Sequence, residues 1–165
     1  MIASGTVRGL DRITLLQDWL SKRLAGGRFS LEPASSDASF RRYFRVRTAN
    51  GATLIVMDAP PAQENCEPFI RIANLFGATG VNVPKLLGQD TELGFLLLSD
   101  LGATTYLDEL QRLRGTGDAA AGDDRGIESL YLDAMRSLVT IQLASKPGVL
   151  AEYDRALLER ELRLF

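Results

Sequence analysis

Phe44-Arg45-Val46-Arg47-Thr48-Ala49-Asn50-Gly51-Ala52-Thr53-Leu54-Ile55-Val56-Met57-Asp58 is the stretch that decides the fold. Phe44 and Val46 alternate with Arg45 and Arg47, the period-2 signature of a strand with one buried face. Asn50-Gly51 is a strong hairpin signal, because both central residues of a type I′ turn need positive φ. Thr53 to Asp58 is nearly continuously apolar, as expected of a strand buried on both faces, and Pro60-Pro61 stops it. A hairpin of antiparallel strands therefore seeds the architecture.

On the N-terminal side, Phe29 and Leu31 alternate with polar residues, so a strand is expected that ends at Pro33. Ser35-Ser36-Asp37-Ala38-Ser39 then reads as a small polar turn. Before it, Leu10, Ile13, Leu16, Leu20 and Leu24 recur at helical spacing with Trp19 beside them, and Gly26-Gly27 is the stop signal. On the C-terminal side, a helix is expected from Glu64 to Phe76, with Phe69, Ile72, Ala73 and Phe76 on one face. Two more strands follow, Val83–Leu87 and Phe95–Ser99, joined by a turn from Gly88 to Gly94. After Asp100-Leu101-Gly102 the character becomes helical. Expected there are a helix from Thr105 to Leu113, a flexible loop from Arg114 to Gly126, and a helix from Ile127 to Ala144 with Leu130, Ala134, Leu138 and Ile141 on its face. Asp154 is placed to cap a last helix carrying Leu157, Leu158, Leu162 and Phe165.

Five strands crossed by one helix, then helices alone, make an α+β chain of two parts: residues 1–101 and residues 102–165. The last helix ends on Leu164-Phe165 with its apolar face uncovered, which predicts that the second part is incomplete.

Bulk composition narrows the chemistry. The 165 residues are 45% hydrophobic and 24% charged with net charge −2, ordinary for a globular chain and without a basic field for nucleic acid or anionic lipid. No apolar run reaches membrane-spanning length, and the N-terminus lacks a secretory pattern, so a cytoplasmic location is expected. One cysteine, Cys66, excludes an internal disulfide and a multi-cysteine metal cluster. The absence of histidine is the most decisive count. It removes Ser-His-Asp and Cys-His catalysis, histidine-ligated zinc and an imidazole base.

Three constellations remain. In the turn Ser35 to Ser39, small residues let backbone N–H groups approach a phosphate, with Phe40-Arg41-Arg42 following to neutralise charge. The plain alternative is a β-turn with a solvated arginine pair. Asp58, Glu64 and Glu67 flank Pro60-Pro61 and could hold a metal or a cation. The alternative is acids that complement a helix dipole. Leu97-Leu98-Ser99-Asp100-Leu101 leads a buried strand into a change of fold character, where backbone groups could meet a purine edge. A strand-to-helix connector is the plainer reading.

The strings Ala34 to Arg45, Val56-Met57-Asp58-Ala59-Pro60-Pro61, Gln63-Glu64-Asn65-Cys66 with Pro68-Phe69, and Gly94 through Gly102, in this order, resemble the aminoglycoside-phosphotransferase and choline-kinase-like family. Tyr106-Leu107-Asp108 and Tyr153-Asp154 with Ala156-Leu157-Leu158 extend the likeness over nearly the whole chain. Within that family it is most similar to the bacterial cell-wall amino-sugar kinases, which phosphorylate N-acetylmuramate and N-acetylglucosamine at the anomeric position. The resemblance implies a protein-kinase-like N-lobe, an antiparallel five-stranded sheet plus a helix, followed by the first helices of a helical C-lobe. It implies ATP and Mg²⁺ as cofactors, and a nucleotide and an amino sugar as partners. It places Ser35, Ser36, Asp37, Ala38, Ser39, Phe40 and Arg41 over the nucleotide phosphates. Leu97, Leu98, Ser99, Asp100 and Leu101 would be the hinge facing adenine. Glu64 or Glu67 would take the place of the helix glutamate that supports phosphate binding.

Two departures stand out. Kinase-like folds carry a lysine on the third strand that contacts the phosphates, and Met57 stands at that position here, so Arg41 or Arg42 is expected to replace it. The family's catalytic loop, with its His, Asp and Asn, and its later metal-binding Asp belong to the second lobe, and this chain has no histidine. No catalytic residue and no metal ligand is therefore expected in the chain, which should be inactive alone. The competing expectations are a kinase-like binding or scaffold module without catalysis, and a lobe completed by a separate chain.

Overall fold

The computed structural model describes residues 9–36, 39–115, 123–150 and 152–163, with the side chains of residues 9–11 and 36 left aside. The described chain divides into two compact units. The first holds residues up to Ala78 with Asn82–Thr104, and the second holds Thr79–Val81 and the residues from Thr105 onward.

In the first unit, helix α1 (Gly9–Arg23) precedes strands β1 (Phe29–Ser36), β2 (Arg42–Thr48) and β3 (Thr53–Asp58). Helix α2 (Glu67–Gly77) and strands β4 (Leu86–Asp90) and β5 (Phe95–Ser99) follow. The five strands form one antiparallel sheet in the order β1-β2-β3-β5-β4, so β3 is central and β1 and β4 are edges. Alternation sorts the side chains onto two faces. On one face Val46, Val56, Phe95 and Leu97 pack under Leu16, Trp19 and Leu20, the i, i+3, i+4 stripe of α1. On the other, Met57, Leu96, Leu98, Ala59 and Cys66 meet Phe69 and Ile70 of α2. Strand β5 reads as an unbroken apolar run because each face has its own helix.

Several boundaries differ from the sequence expectation. Pro33 does not end β1: the strand continues to Ser36 through a bulge between Pro33 and Ser35. An edge strand tolerates a residue with no N–H to donate. Ser35 and Ser36 thus belong to a strand rather than to a turn, and Asp37 and Ala38 lie outside the described residues. In the β2–β3 hairpin only Gly51 has positive φ, +85°, so the turn is not type I′. The Gly51 N–H is donated to the Thr48 carbonyl at 2.9 Å, and the Thr48 N–H to the Ala52 carbonyl at 3.0 Å. That is a three-residue loop closed by a left-handed glycine. The Asn50 side chain accepts from the Thr48 hydroxyl instead. Helix α2 starts at Glu67 with Pro68 in its first turn, where a missing N–H costs nothing, so Glu64 precedes the helix. Strand β4, with a register shift between Leu86 and Gly88, is displaced to Leu86–Asp90, and the displacement shortens the following turn.

In the second unit, α3 (Tyr106–Arg114) opens with a capping box: Asp108 N–H is donated to the Thr105 hydroxyl, and Thr105 N–H to the Asp108 carboxylate. Helix α4 (Asp124–Ala144) is capped by Asp123, and α5 (Arg155–Leu162) by Asp154, whose carboxylate accepts from the Leu157 N–H at 2.8 Å. Asp154 therefore caps as expected. The expected apolar face of α4 is only half-realised: Leu130 and Ile141 are half-buried, whereas Ala134 and Leu138 are exposed. Phe165, expected on the apolar side of the last helix, lies outside the described residues, as does much of the loop after Arg114.

Candidate functional site

Where β1 ends and β2 begins, Ser36 pairs with Arg42 and Ser35 with Tyr43. Phe40 and Arg41, just before β2, close against the segment that follows β3. Pro60 accepts at its carbonyl from both the Gln63 and Glu64 N–H groups at 2.9 Å, a tight turn that presents Glu64. The Glu64 carboxylate accepts from the Phe40 N–H at 3.2 Å and from Arg41 Nε at 3.1 Å. Arg41 in turn donates its backbone N–H to Ser39 Oγ at 3.2 Å. Glu64 thus fixes both the backbone of the turn and the guanidinium beside it. Burial opposes the Arg41 charge, but Glu64 and the Tyr43 side chain outweigh it and raise its pKa above the usual guanidinium value. Phe40 projects its ring into solvent. Of the two glutamates proposed from sequence, Glu67 is exposed at the start of α2 and gives its N–H to Asn65 Oδ1.

Arg42 points to the opposite face, as strand alternation requires. Its guanidinium Nε donates to Asp58 Oδ2 at 3.0 Å, and Nη2 contacts the same oxygen. Arg12 of α1 donates Nε to Asp58 Oδ1 at 2.7 Å and Nη2 to the Leu93 carbonyl at 2.7 Å. Asp58 is fully buried, so two arginines compensate a charge that water does not reach. The guanidiniums also lie over aromatic rings, Arg12 over Phe95 and Arg42 over Phe44.

The connector after β5 is anchored by another arginine. Arg45 donates Nε to Asp100 Oδ2 at 2.7 Å, Nη2 to Oδ1 at 3.2 Å and Nη2 to the Gly102 carbonyl at 2.9 Å. The Arg45 hydrogen bonds hold the Asp100 carboxyl at about 2, against its burial. Ser99 accepts at Oγ from the Lys85 N–H. Leu97 and Leu98 are buried on opposite faces of the sheet, and Leu101 is exposed. Any contact of Leu97 or Leu98 with a ligand would be through backbone.

Asp58, Glu64 and Glu67, the acids singled out as a possible cation site, do not converge: the first two are held by arginines and the third faces solvent. Among the described residues no cluster of acids or cysteine is arranged to hold a metal. Met57 is fully buried in the apolar cluster under α2, so that strand position carries no charge. An open cleft of about 380 Å³ runs along α2, lined by Phe69, Ile72, Phe76, Val83 and Pro84, with Arg41 at its edge.

Sequence reasoning missed Arg12 and Arg45. Neither had a local signal, because Arg12 pairs with Asp58 46 positions away and Arg45 with Asp100 55 positions away.

Three relatives match this chain in sequence. An N-acetylmuramate/N-acetylglucosamine kinase of Pseudomonas aeruginosa is 50% identical over 135 residues, 82% of this chain and 36% of its own length. Its counterpart in Neisseria meningitidis is 40% identical over 156 residues, 94% of this chain and 44% of its own. The Pseudomonas putida protein of that name is 48% identical over 136 residues, 82% of this chain and 36% of its own. The chain therefore spans roughly two fifths of the length of these relatives. Residues 30–165, from β1 through both units, match a single family throughout. With its two-faced sheet and glutamate-braced turn inside that match, the chain belongs to the phosphotransferase enzyme family.

Proposed function

We propose that the chain is the nucleotide-binding part of an ATP-dependent kinase that phosphorylates an amino sugar at its anomeric hydroxyl. The observation that carries this reading is 40–50% identity to three kinases of one name, through the stretch that holds the sheet, the turn and the connector. In this reading the segment from Ser35 to Arg41 covers the phosphates, and Leu97 to Leu101 offers backbone groups to the base. The first unit is the N-lobe, and α3 to α5 begin the helical C-lobe. In this reading the protein works in the cytoplasm, in the recycling of peptidoglycan sugars.

The chain's own part is binding and positioning. Phosphoryl transfer needs the phosphates held in line and their charge countered, which fixed donors do without reorganisation. A turn whose backbone and arginine are braced by one carboxylate suits that task. Magnesium, when bound, counters charge on the transferring phosphate. Its ligands, and the acceptor's general base, are assigned to the part of the relatives' length that this chain does not span.

The test is to express the complete gene product and assay N-acetylmuramate and N-acetylglucosamine with ATP and Mg²⁺, following the product by ³¹P NMR. A sugar 1-phosphate is the expected result. ATP binding without transfer to either sugar would instead favour a kinase-like module with no sugar chemistry.

A further inference from the structure

We infer that Arg41, oriented by Glu64, is the phosphate-binding cation of this chain, standing in for the charge that the central strand lacks. The inference rests on the nucleotide-binding reading and decides between residues that sequence left open.

The argument is one of place. Tyr43 and Met57 are register partners on β2 and β3 and share the α2-side cluster. In an extended strand, positions two apart lie on one face, so Arg41 follows Tyr43 on that face, one step from the position of Met57. Met57 is sealed in apolar contact. Arg41 and Arg45 flank Tyr43 on this face, and Arg45 is committed to Asp100 and the Gly102 carbonyl, which leaves the cation to be supplied from the start of β2 rather than from the middle of β3.

Several other arginines on and beside the sheet are engaged elsewhere. Arg42 and Arg12 share buried Asp58 on the α1 face. Arg45 is spread over Asp100 and the Gly102 carbonyl. Arg47 pairs with Glu32 at the exposed side of the β1–β2 pair. Arg23 lies over Trp19 and donates to the Gln89 carbonyl.

Arg41 sits at the small-residue turn itself, with about a quarter of its side chain exposed. Glu64 takes its Nε, and a guanidinium has five N–H donors in a fixed fork, so donors remain beyond Glu64 and Tyr43. Bidentate geometry is what phosphate oxygens accept best. Glu64 also accepts from the Phe40 N–H, so one carboxylate holds both the backbone beside the cation and the cation itself.

The experiment uses the complete gene product and two readouts, calorimetric affinity for ATP and for adenosine, and KM for ATP against kcat. Arg41→Ala is expected to weaken ATP at least tenfold while leaving adenosine within twofold. Arg41→Lys should recover part of that loss. Glu64→Gln should raise KM for ATP severalfold with a smaller change in kcat, because the guanidinium loses its orientation. Arg47→Ala serves as the surface control. The inference is overturned if Arg41→Ala binds ATP as wild type does, if ATP and adenosine weaken equally, or if Arg42→Ala loses at least as much ATP affinity. Wild-type protein that binds no ATP would overturn the nucleotide reading as well, so the two failures are separable.

Discussion

Asp58 shows how much one carboxylate can hold. Its two oxygens join α1, through Arg12, to β3 and, through Arg42, to β2. Replacing Asp58 with alanine would strand two guanidiniums at once. Both retain some solvent contact, so the expected cost is at the lower end for a broken buried pair, about 3 kcal/mol. Urea unfolding monitored at Trp19, which packs on Phe95 at 5.7 Å between ring centroids, measures it. An unchanged midpoint would mean that the arginines find other partners. Asp100 makes a pH prediction. Its carboxyl falls from the ordinary 3.8 to about 2 through Arg45. A group depressed on folding stabilises above its unfolded pKa, and that contribution fades as pH falls through the folded value. The melting-temperature gap between wild type and Asp100→Asn should therefore be full at pH 6, shrink below about pH 4, and be nearly gone near pH 2. A gap independent of pH would show that the ion pair is not its source.

At the level of elements, the β4–β5 turn is locked to the end of β3. Gly94 has φ +73°, and its carbonyl accepts from the Ala59 N–H at 2.8 Å. A Cβ there would lie 1.9 Å from the Ala59 carbonyl oxygen. Gly94→Ala combines that clash with left-handed strain and should destabilise by more than about 3 kcal/mol, read by thermal melts. Gly51→Ala, strained but with open space around it, should cost less. The same contrast explains what was legible in the sequence. The β2–β3 hairpin, α1 and the Asp154 cap follow from local pattern, which a linear reading sees. Pro33 misled because its tolerance depends on β1 being an edge, a property of the sheet and not of the strand. Glu64 reads as helical because its residue type permits a helix; the Pro60-Pro61 turn and the helix start at Glu67 decide otherwise. The resemblance singles out Phe40 and Arg41, whereas their bracing by Glu64 and the neutralisation of Arg42 by Asp58 are long-range pairings with no local signature.

For the molecule as a whole, the two units differ in how well they close their apolar surface. In the first, both faces of the sheet are covered by a helix, and Leu16, Val56, Phe95 and Leu96 are sealed from water. In the second, Tyr131, Met135, Leu138, Val139 and Leu143 of α4 and Leu162 of α5 are each at least half exposed. Monomers seldom leave so many large apolar side chains in water, and such surfaces seek a partner. The expected behaviour of the chain of residues 1–165 expressed alone is concentration-dependent association with strong binding of an apolar dye. Truncation after Thr104 should abolish both, and a chain of the relatives' full length is expected to bind less dye than residues 1–165 alone. Light scattering after size exclusion, with a dye titration on the three proteins, checks this. Equal dye binding by the truncated chain would place the exposed surface in the first unit instead, and a monomeric, dye-free chain of 165 residues would show that α4 and α5 satisfy one another.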